Sequence, residues 1–118
     1  MASAYREALA GFEGLELPCE DFDGDVRGWF VFVVQLPRHL DRDETIRALL
    51  ERGVQSKPYL PAIHLMSFYR ERFGYRGGEF PVCEDVAARS IALPFFPEMT
   101  QAQVEEVAES LIAVLRRL

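Results

Sequence analysis

The sequence predicts an α/β (α+β) domain in which helices pack on one small mixed sheet. Residues 29–36, WFVFVVQL, are almost entirely β-branched and aromatic, which is typical of a central strand. A capped helix and a second short strand follow, and the chain ends in a long amphipathic helix. Because 49% of the 118 residues are hydrophobic, enough for one core, we predict a single domain over residues 1–118.

The first quarter of the chain predicts a short helix, an edge strand and a turn. Apolar residues recur at helical spacing over residues 3–12, a segment so short that it must pack on another element. Residues 15–17, before a proline, predict an edge strand. Aspartates alternate in residues 19–28 as in calcium loops, but Gly24 is the fourth residue of that pattern instead of the sixth, and the twelfth, Phe32, is no carboxylate. We therefore interpret residues 19–28 as a solvated turn.

The central segment predicts a strand, a helix and a second strand. Residues 29–36 are apolar on both alternating faces, so we expect this strand to be covered on both sides. Asp41 and Glu44 form a capping pair for a helix that ends at Gly53, and residues 54–57 follow as the second strand. This order predicts a crossover connection and a parallel pair of strands.

The C-terminal half predicts three further helices and one strand. Residues 64–73 and 80–89 have the apolar spacing of short helices, and residues 90–93 form a brief strand. Thr100 and Gln103 form a capping box for the last helix, whose apolar residues fall on one stripe. We expect this helix to lie across the sheet.

Composition argues against several classes of protein. The net charge of -6 and the isoelectric point near 4.9 disfavour nucleic acid and anionic membranes as partners. Without a long apolar run or a secretion signal, we expect a cytoplasmic protein. Cys19 and Cys83 lack the spacing of metal ligands or of a disulfide framework, and His39 and His64 lie on different predicted elements. We therefore expect free thiols and no metal site.

The segment over residues 51–69 is the candidate for function. Pro58 and Pro61 hold the backbone extended, because each proline fixes its own φ and restricts the residue before it. This stiff connector presents Lys57, the only lysine of the chain, together with Tyr59 and His64. Further on, the pair Gly77-Gly78 lacks the lysine and hydroxyl residue of a P-loop, so a flexible turn is predicted there.

Three pieces of the chain carry a resemblance to a known family: RALLERGVQSKPYLPAIHLMSFYRERFG, FPVCEDVAARSIALPFFPEMT and the long terminal helix. In the order of these pieces, the chain from Arg42 to Leu118 resembles the C-terminal domain of the DegT/DnrJ/EryC1/StrS family, the pyridoxal-phosphate-dependent aminotransferases of nucleotide sugars. Upstream, YREALAGFEGLELP is similar to the helix that leads into this domain, so the resemblance covers nearly the whole chain.

The resemblance implies that this chain holds no catalytic and no cofactor-binding residue. In the family, a large N-terminal domain supplies the Schiff-base lysine, the acid that pairs with the pyridine nitrogen and most phosphate contacts. Lys57 matches a position of the small domain instead. Pyridoxal 5'-phosphate, the nucleotide-sugar substrate, the amino donor and a homodimeric assembly are thus implied for the full-length enzyme, and the isolated chain is expected to be inactive.

The resemblance also implies roles for four residues. Lys57 and Tyr59 would reach the sugar-nucleotide side of the cleft, with Lys57 offering a positive charge; Tyr59 stands where the family often has a histidine. His64 matches a family histidine and either contacts substrate or forms a hydrogen bond at the start of its helix. Arg89 matches an arginine before a family strand; it either pairs with a substrate carboxylate or forms a structural salt bridge with Glu84 or Asp85.

Two hypotheses for function follow. The first is the small domain of a nucleotide-sugar aminotransferase, which forms part of the substrate-side wall of the active site. The alternative is a free-standing small-molecule-binding or protein-interaction module derived from that fold. The two differ in whether an adjoining polypeptide supplies a cofactor domain.

Overall fold

The computed structural model describes residues 1–118 and confirms the predicted fold class, helices packed on one small sheet. The helices are α1 (Ala2–Leu9), α2 (Arg42–Glu51), α3 (Ser67–Phe73), α4 (Pro81–Arg89) and α5 (Gln101–Arg117), with a 3-10 turn at Ile63–Leu65. The strands are β1 (Phe32–Gln35), β2 (Lys57–Pro58) and β3 (Ser90–Leu93). None of the helices combines the length and the apolar character that crossing a bilayer requires.

The sheet has the order β1-β3-β2, and both pairings are antiparallel. The predicted parallel pair is therefore wrong, and the sheet is not mixed. β1 and β2 do run in the same direction, because each is antiparallel to β3, but β3 lies between them. The connection through α2 therefore places β2 two positions away from β1 in the sheet, and β3, which comes much later in the chain, lies between them.

Helices cover one face of the sheet only. Phe32 and Val34 of β1, with Ile91 and Leu93 of β3, point into the core and are buried. The alternate residues, such as Val33 and Gln35, remain half exposed on what we call the open face. The expectation that residues 29–36 are covered on both sides is thus wrong. A continuous run of apolar residues indicates that both faces of a strand are apolar, but it does not show whether other elements of the chain pack on both.

The core is closed by α5 and α1, which pack against each other. The Thr100–Gln103 capping box is present, and the predicted stripe of α5 is buried except for the terminal Leu118. Burying one such aliphatic side chain contributes roughly 1.5–3 kcal/mol. Tyr5 of α1 is fully buried and donates a hydrogen bond to the Pro94 carbonyl at 2.6 Å. Burial raises the pKa of Tyr5.

The N-terminal connection has little regular structure. The predicted edge strand is reduced to one bridge between Glu16 and Gln35. Residues 19–28 form the predicted turn, with Asp23 and Gly24 both in the left-handed region.

Residues 63–80 project from the core, and we call them the aromatic arm. α3 buries no residue, and its main packing partner is the 3-10 turn before it. It ends at Gly74, whose φ of 75° provides a left-handed cap. Aromatic rings pack along the arm, for example Tyr75 against Phe80 at 5.7 Å between centroids.

Candidate functional site

The open face of the sheet forms the floor of a groove of about 650 Å³. Val33 and Gln35 of β1 and Ser90 of β3 contribute to this floor, and Trp29 and Tyr59 stand at its sides. Because successive side chains of a strand point to opposite faces, these floor residues lie on the side away from the core, and most of the other residues that line the groove are apolar. Of the predicted connector, Tyr59 lines this groove.

The structure brings Lys57 and Tyr59 to this open face. Lys57 pairs with Ala92, which also pairs with Val33, so the three residues lie in one row across the sheet. Tyr59, two residues further on, lies on the same side, lines the groove and donates its backbone N–H to the Ser90 carbonyl at 3.4 Å. Lys57 is exposed, whereas Tyr59 is half-buried. The exposed ammonium group of Lys57 and the half-buried phenol ring of Tyr59 thus lie on one surface of the sheet.

An arginine and a tryptophan at the far end of the groove were missed by sequence reasoning. The Arg27 guanidinium lies 4.5 Å from the centroid of the Trp29 ring, and its Nη2 donates to the Cys19 sulfur at 2.8 Å. Trp29 in turn stacks on Phe32 at 5.5 Å between centroids. The only available signal was that Trp29 is the single tryptophan of the chain. Arg27 gives this end of the groove a fixed positive charge.

His64 lies outside the groove, in the 3-10 turn of the aromatic arm. It is 7% exposed, and its Nε2 lies 2.6 Å from Oε1 of Glu84 in α4. The hydrogen bond from His64, followed by one from the Gly78 amide, holds the pKa of the Glu84 carboxyl below its usual range. His64 therefore forms a hydrogen bond, which is one of the two predicted alternatives. Its partner is Glu84 of α4 and not a group at the start of α3.

The turn at Gly77-Gly78 binds carboxylates of its own chain. The Gly77 amide donates to Glu79 Oε1 at 2.7 Å, and the Gly78 amide donates to Glu84. The Arg76 amide donates to the second oxygen of Glu79, and this bond is the main cause that lowers the pKa of Glu79. The amides of this turn are thus already occupied by anions.

Arg89 joins α4 to the end of β1 and to the segment before β1. It is 7% exposed and donates to the Leu36 carbonyl at 2.7 Å, and to the side chains of Asp85, Glu16 and Gln35 at about 3.0 Å. The structural salt bridge with Asp85 is confirmed, whereas Glu84 pairs with His64 instead. Burial alone would lower the pKa of Arg89, but its bonds to Asp85 and Glu16 outweigh burial and raise it.

The four predicted site residues therefore separate into two groups. Lys57 and Tyr59 share the open face. The polar atoms of His64 and Arg89 are instead engaged within the chain, His64 with Glu84 outside the groove and Arg89 with Gln35 and Glu16, which line it. The exposed cation and the phenol are free to meet a ligand that lies on the sheet. The two buried residues fix the elements around that surface.

A family model describing the DegT/DnrJ/EryC1/StrS aminotransferase family matches residues 1–112. Among solved structures, the chain is similar to the aminotransferase TlmJ from Streptoalloteichus hindustanus, with a TM-score of 0.84 and 26% identity over 98% of this chain. It also matches DesI, solved in the presence of its TDP-sugar product, with a TM-score of 0.76 and 25% identity over 98% of this chain.

The match to Helicobacter pylori PseC, an aminotransferase involved in the biosynthesis of pseudoaminic acid, shows the same fold. Its TM-score is 0.84 over 99% of this chain, although the identity is only 14%. The chain spans 30% of TlmJ, 31% of PseC and 30% of DesI. It thus corresponds to about one third of these proteins.

Proposed function

The chain belongs to the DegT/DnrJ/EryC1/StrS aminotransferase family, and we propose that it is the C-terminal small domain of a nucleotide-sugar aminotransferase that uses pyridoxal 5'-phosphate. In this proposal the chain forms the substrate-side wall of the active site. A cytoplasmic location and a homodimeric assembly remain predictions from the sequence.

The observation that carries the proposal is the open face of the sheet. Its groove is lined mainly by apolar residues, it has Lys57 and Tyr59 along one edge, and Val33 and Gln35 of β1 remain half exposed on it. The second face of a sheet is usually buried when another layer of the protein packs on it. The matched proteins are about three times as long as this chain, so they contain polypeptide that can form such a layer. This supports a wall that is completed by another part of a longer enzyme.

The residues of this chain do not fit the cofactor itself. Its single lysine is exposed on a two-residue edge strand and is not among the residues that line the groove. The amides of the Gly77-Gly78 turn, which would suit a phosphate, donate to Glu79 and Glu84. We therefore propose that cofactor binding and the reactive amine belong to polypeptide beyond these residues.

Lys57 and Tyr59 are proposed to bind the nucleotide sugar. The Lys57 ammonium suits a phosphate because it is a mobile point charge on the exposed edge of the sheet. The Tyr59 ring is held against the groove, so its hydroxyl can orient a sugar or phosphate oxygen. For His64 and Arg89 we propose a supporting role, because their polar atoms are engaged within the chain.

A chimera tests these roles. The matching segment of DesI is replaced by this chain, and kinetics are measured with the TDP-sugar of the parent enzyme. Lys57→Ala should lower kcat/KM by about tenfold, mainly through KM, since a hydrogen bond to a charged group contributes roughly 1.5–3 kcal/mol. Lys57→Arg should restore most of this loss, and Arg47→Ala, on the exposed side of α2, is the control. Unchanged kinetics for both Lys57→Ala and Tyr59→Phe would contradict the assignment.

One observation favours the alternative, a free-standing binding module. Residues of this chain suffice to form the groove, so a small ligand could bind there without another domain. Sequencing the DNA upstream of the codon for Met1 distinguishes the two proposals. The small-domain proposal predicts a reading frame that encodes a large cofactor domain with its own lysine. The module predicts no such frame, and a folded chain that binds a small ligand alone.

A further inference from the structure

A cluster outside the groove brings one imidazole and two carboxylates together. His64 and Glu79 lie near the two ends of the aromatic arm, and Glu84 belongs to α4. One ligand atom from each residue lies within 4.8 Å of the others. Sequence reasoning expected no metal site because the two histidines lie on different elements; here the partners of His64 are carboxylates that only the fold brings near.

Backbone amides orient both carboxylates toward the imidazole. Gly78 donates to both oxygens of Glu84, at 2.8 and 3.0 Å. Gly77 and Arg76 donate to one oxygen each of Glu79, at 2.7 and 2.8 Å. A carboxylate oxygen has a second lone pair, so each group retains a free acceptor position. Outer hydrogen bonds of this kind are what hold ligating carboxylates in metal sites.

The imidazole is held equally firmly. His64 is 7% exposed, and the edges of two aromatic rings enclose it, Phe80 at 4.9 Å and Tyr75 at 5.9 Å between centroids. The ring therefore keeps one orientation, with Nε2 directed at Glu84. A preorganised imidazole loses little conformational entropy when it takes up a ligand.

Charge favours a cation at this position. Two ionised carboxylates face one another across one imidazole, and a divalent ion would neutralise both. The presence of an imidazole favours Zn²⁺ and its neighbours over Mg²⁺ and Ca²⁺, which prefer oxygen alone.

We propose that His64, Glu79 and Glu84 form a site for a divalent transition metal of the Zn²⁺ class, with Nε2 and one oxygen of each carboxylate as ligands. A water molecule completes a tetrahedron. Ligand atoms of such a site are roughly 3.3 Å apart, given Zn–N and Zn–O bonds of about 2.0–2.2 Å. The carboxylates therefore need only small movements from their present positions, and the metal replaces the proton between His64 and Glu84.

The bound metal would fasten the aromatic arm to the start of α4. The arm begins at Ile63, shortly after Lys57 and Tyr59, and none of its residues belongs to the hydrophobic core cluster. Metal binding would thus fix the position of the connector. This role is independent of whether the chain belongs to a complete aminotransferase.

Calorimetry on the metal-stripped chain tests the site. Titration with ZnCl₂ should show one equivalent bound, and Glu79→Gln and Glu84→Gln should each weaken binding by about tenfold or more. Glu79 is exposed, so its variant should fold normally, which circular dichroism verifies. Glu98→Gln is the matched control, because Glu98 is exposed and far from the cluster in sequence.

Zinc could instead bind the exposed thiols, so Cys19→Ser and Cys83→Ser are titrated as well. Binding that survives in both serine variants and weakens in both glutamine variants supports the site. Absence of binding, unchanged binding in the glutamine variants, or loss of binding in either serine variant overturns it.

Discussion

At the scale of single residues, buried ion pairs fix the elements around the open face. Arg89 satisfies acceptors on β1, on α4 and on the segment before β1, so three parts of the chain meet at one guanidinium. The arginine resembles a substrate-binding residue in sequence, but its polar atoms are engaged internally. Its contribution should therefore appear in stability.

We expect Arg89→Met to lower the free energy of unfolding by about 2–3 kcal/mol, because the variant leaves the Leu36 carbonyl without its donor and removes the hydrogen bonds to Glu16 and Asp85. Urea denaturation measures this change. Arg47→Met, at an exposed position of α2, should change stability by less than about 0.5 kcal/mol. Equal changes in the free energy of unfolding for the two substitutions would show that the hydrogen bonds of Arg89 do not stabilise the fold.

The partner Asp85 makes the same interaction depend on pH. Its hydrogen bond with Arg89 holds the pKa of the Asp85 carboxyl below its ordinary value. A carboxyl with a lowered folded-state pKa stabilises the fold at pH above its unfolded pKa, and this contribution is lost as pH falls through the folded value.

Asp85→Asn should accordingly lower the melting temperature at pH 7, and the difference from the parent chain should shrink at acidic pH, below about 4. Thermal unfolding followed by circular dichroism across this range checks the prediction. A difference in melting temperature that stays constant from pH 7 into the acid range would exclude the charge of Asp85 as its cause.

At the scale of elements, the helices could be predicted and the strand pairing could not. The caps of α2 and α5 are local, since Asp41 accepts from the Glu44 amide and Thr100 exchanges hydrogen bonds with Gln103. The partner of β1 is instead a strand more than fifty residues later, and no local signal specifies it.

The candidate site divides in the same way. Lys57 and Tyr59 share a face because residues two apart in an extended segment do so, which the sequence implies. The Arg27–Trp29 contact and the cluster around His64 depend on segments that approach each other only in the folded chain. For these, composition and spacing carried no information.

The cap of α5 provides a test at this scale. Thr100→Ala removes the side-chain acceptor of the Gln103 amide and should cost about 1 kcal/mol of stability. Gln101→Ala, which removes only an exposed contact with Glu105, should cost much less. Chemical denaturation measures the stability of both variants. If Gln101→Ala lost as much stability as Thr100→Ala, the capping box would not be what stabilises the start of α5.

At the scale of the whole molecule, the uncovered groove is the dominant feature. Phe30 lines it and is 76% exposed, and an apolar surface of this kind promotes association when its natural cover is missing. Phe30→Ser should reduce concentration-dependent light scattering without lowering the melting temperature. Phe22→Ser, at a similarly exposed residue in the acidic turn, is the control. Equal scattering by the parent chain and Phe30→Ser would show that the groove does not drive association.

The central claim, that this chain supplies a wall of the active site while the reactive amine lies on other polypeptide, has one direct measurement. The purified chain is incubated with pyridoxal phosphate, an amino donor and a nucleotide sugar, then reduced with borohydride and analysed by mass spectrometry. We predict no turnover and no stable adduct at Lys57. A stoichiometric adduct at Lys57 together with transamination by the isolated chain would contradict the account.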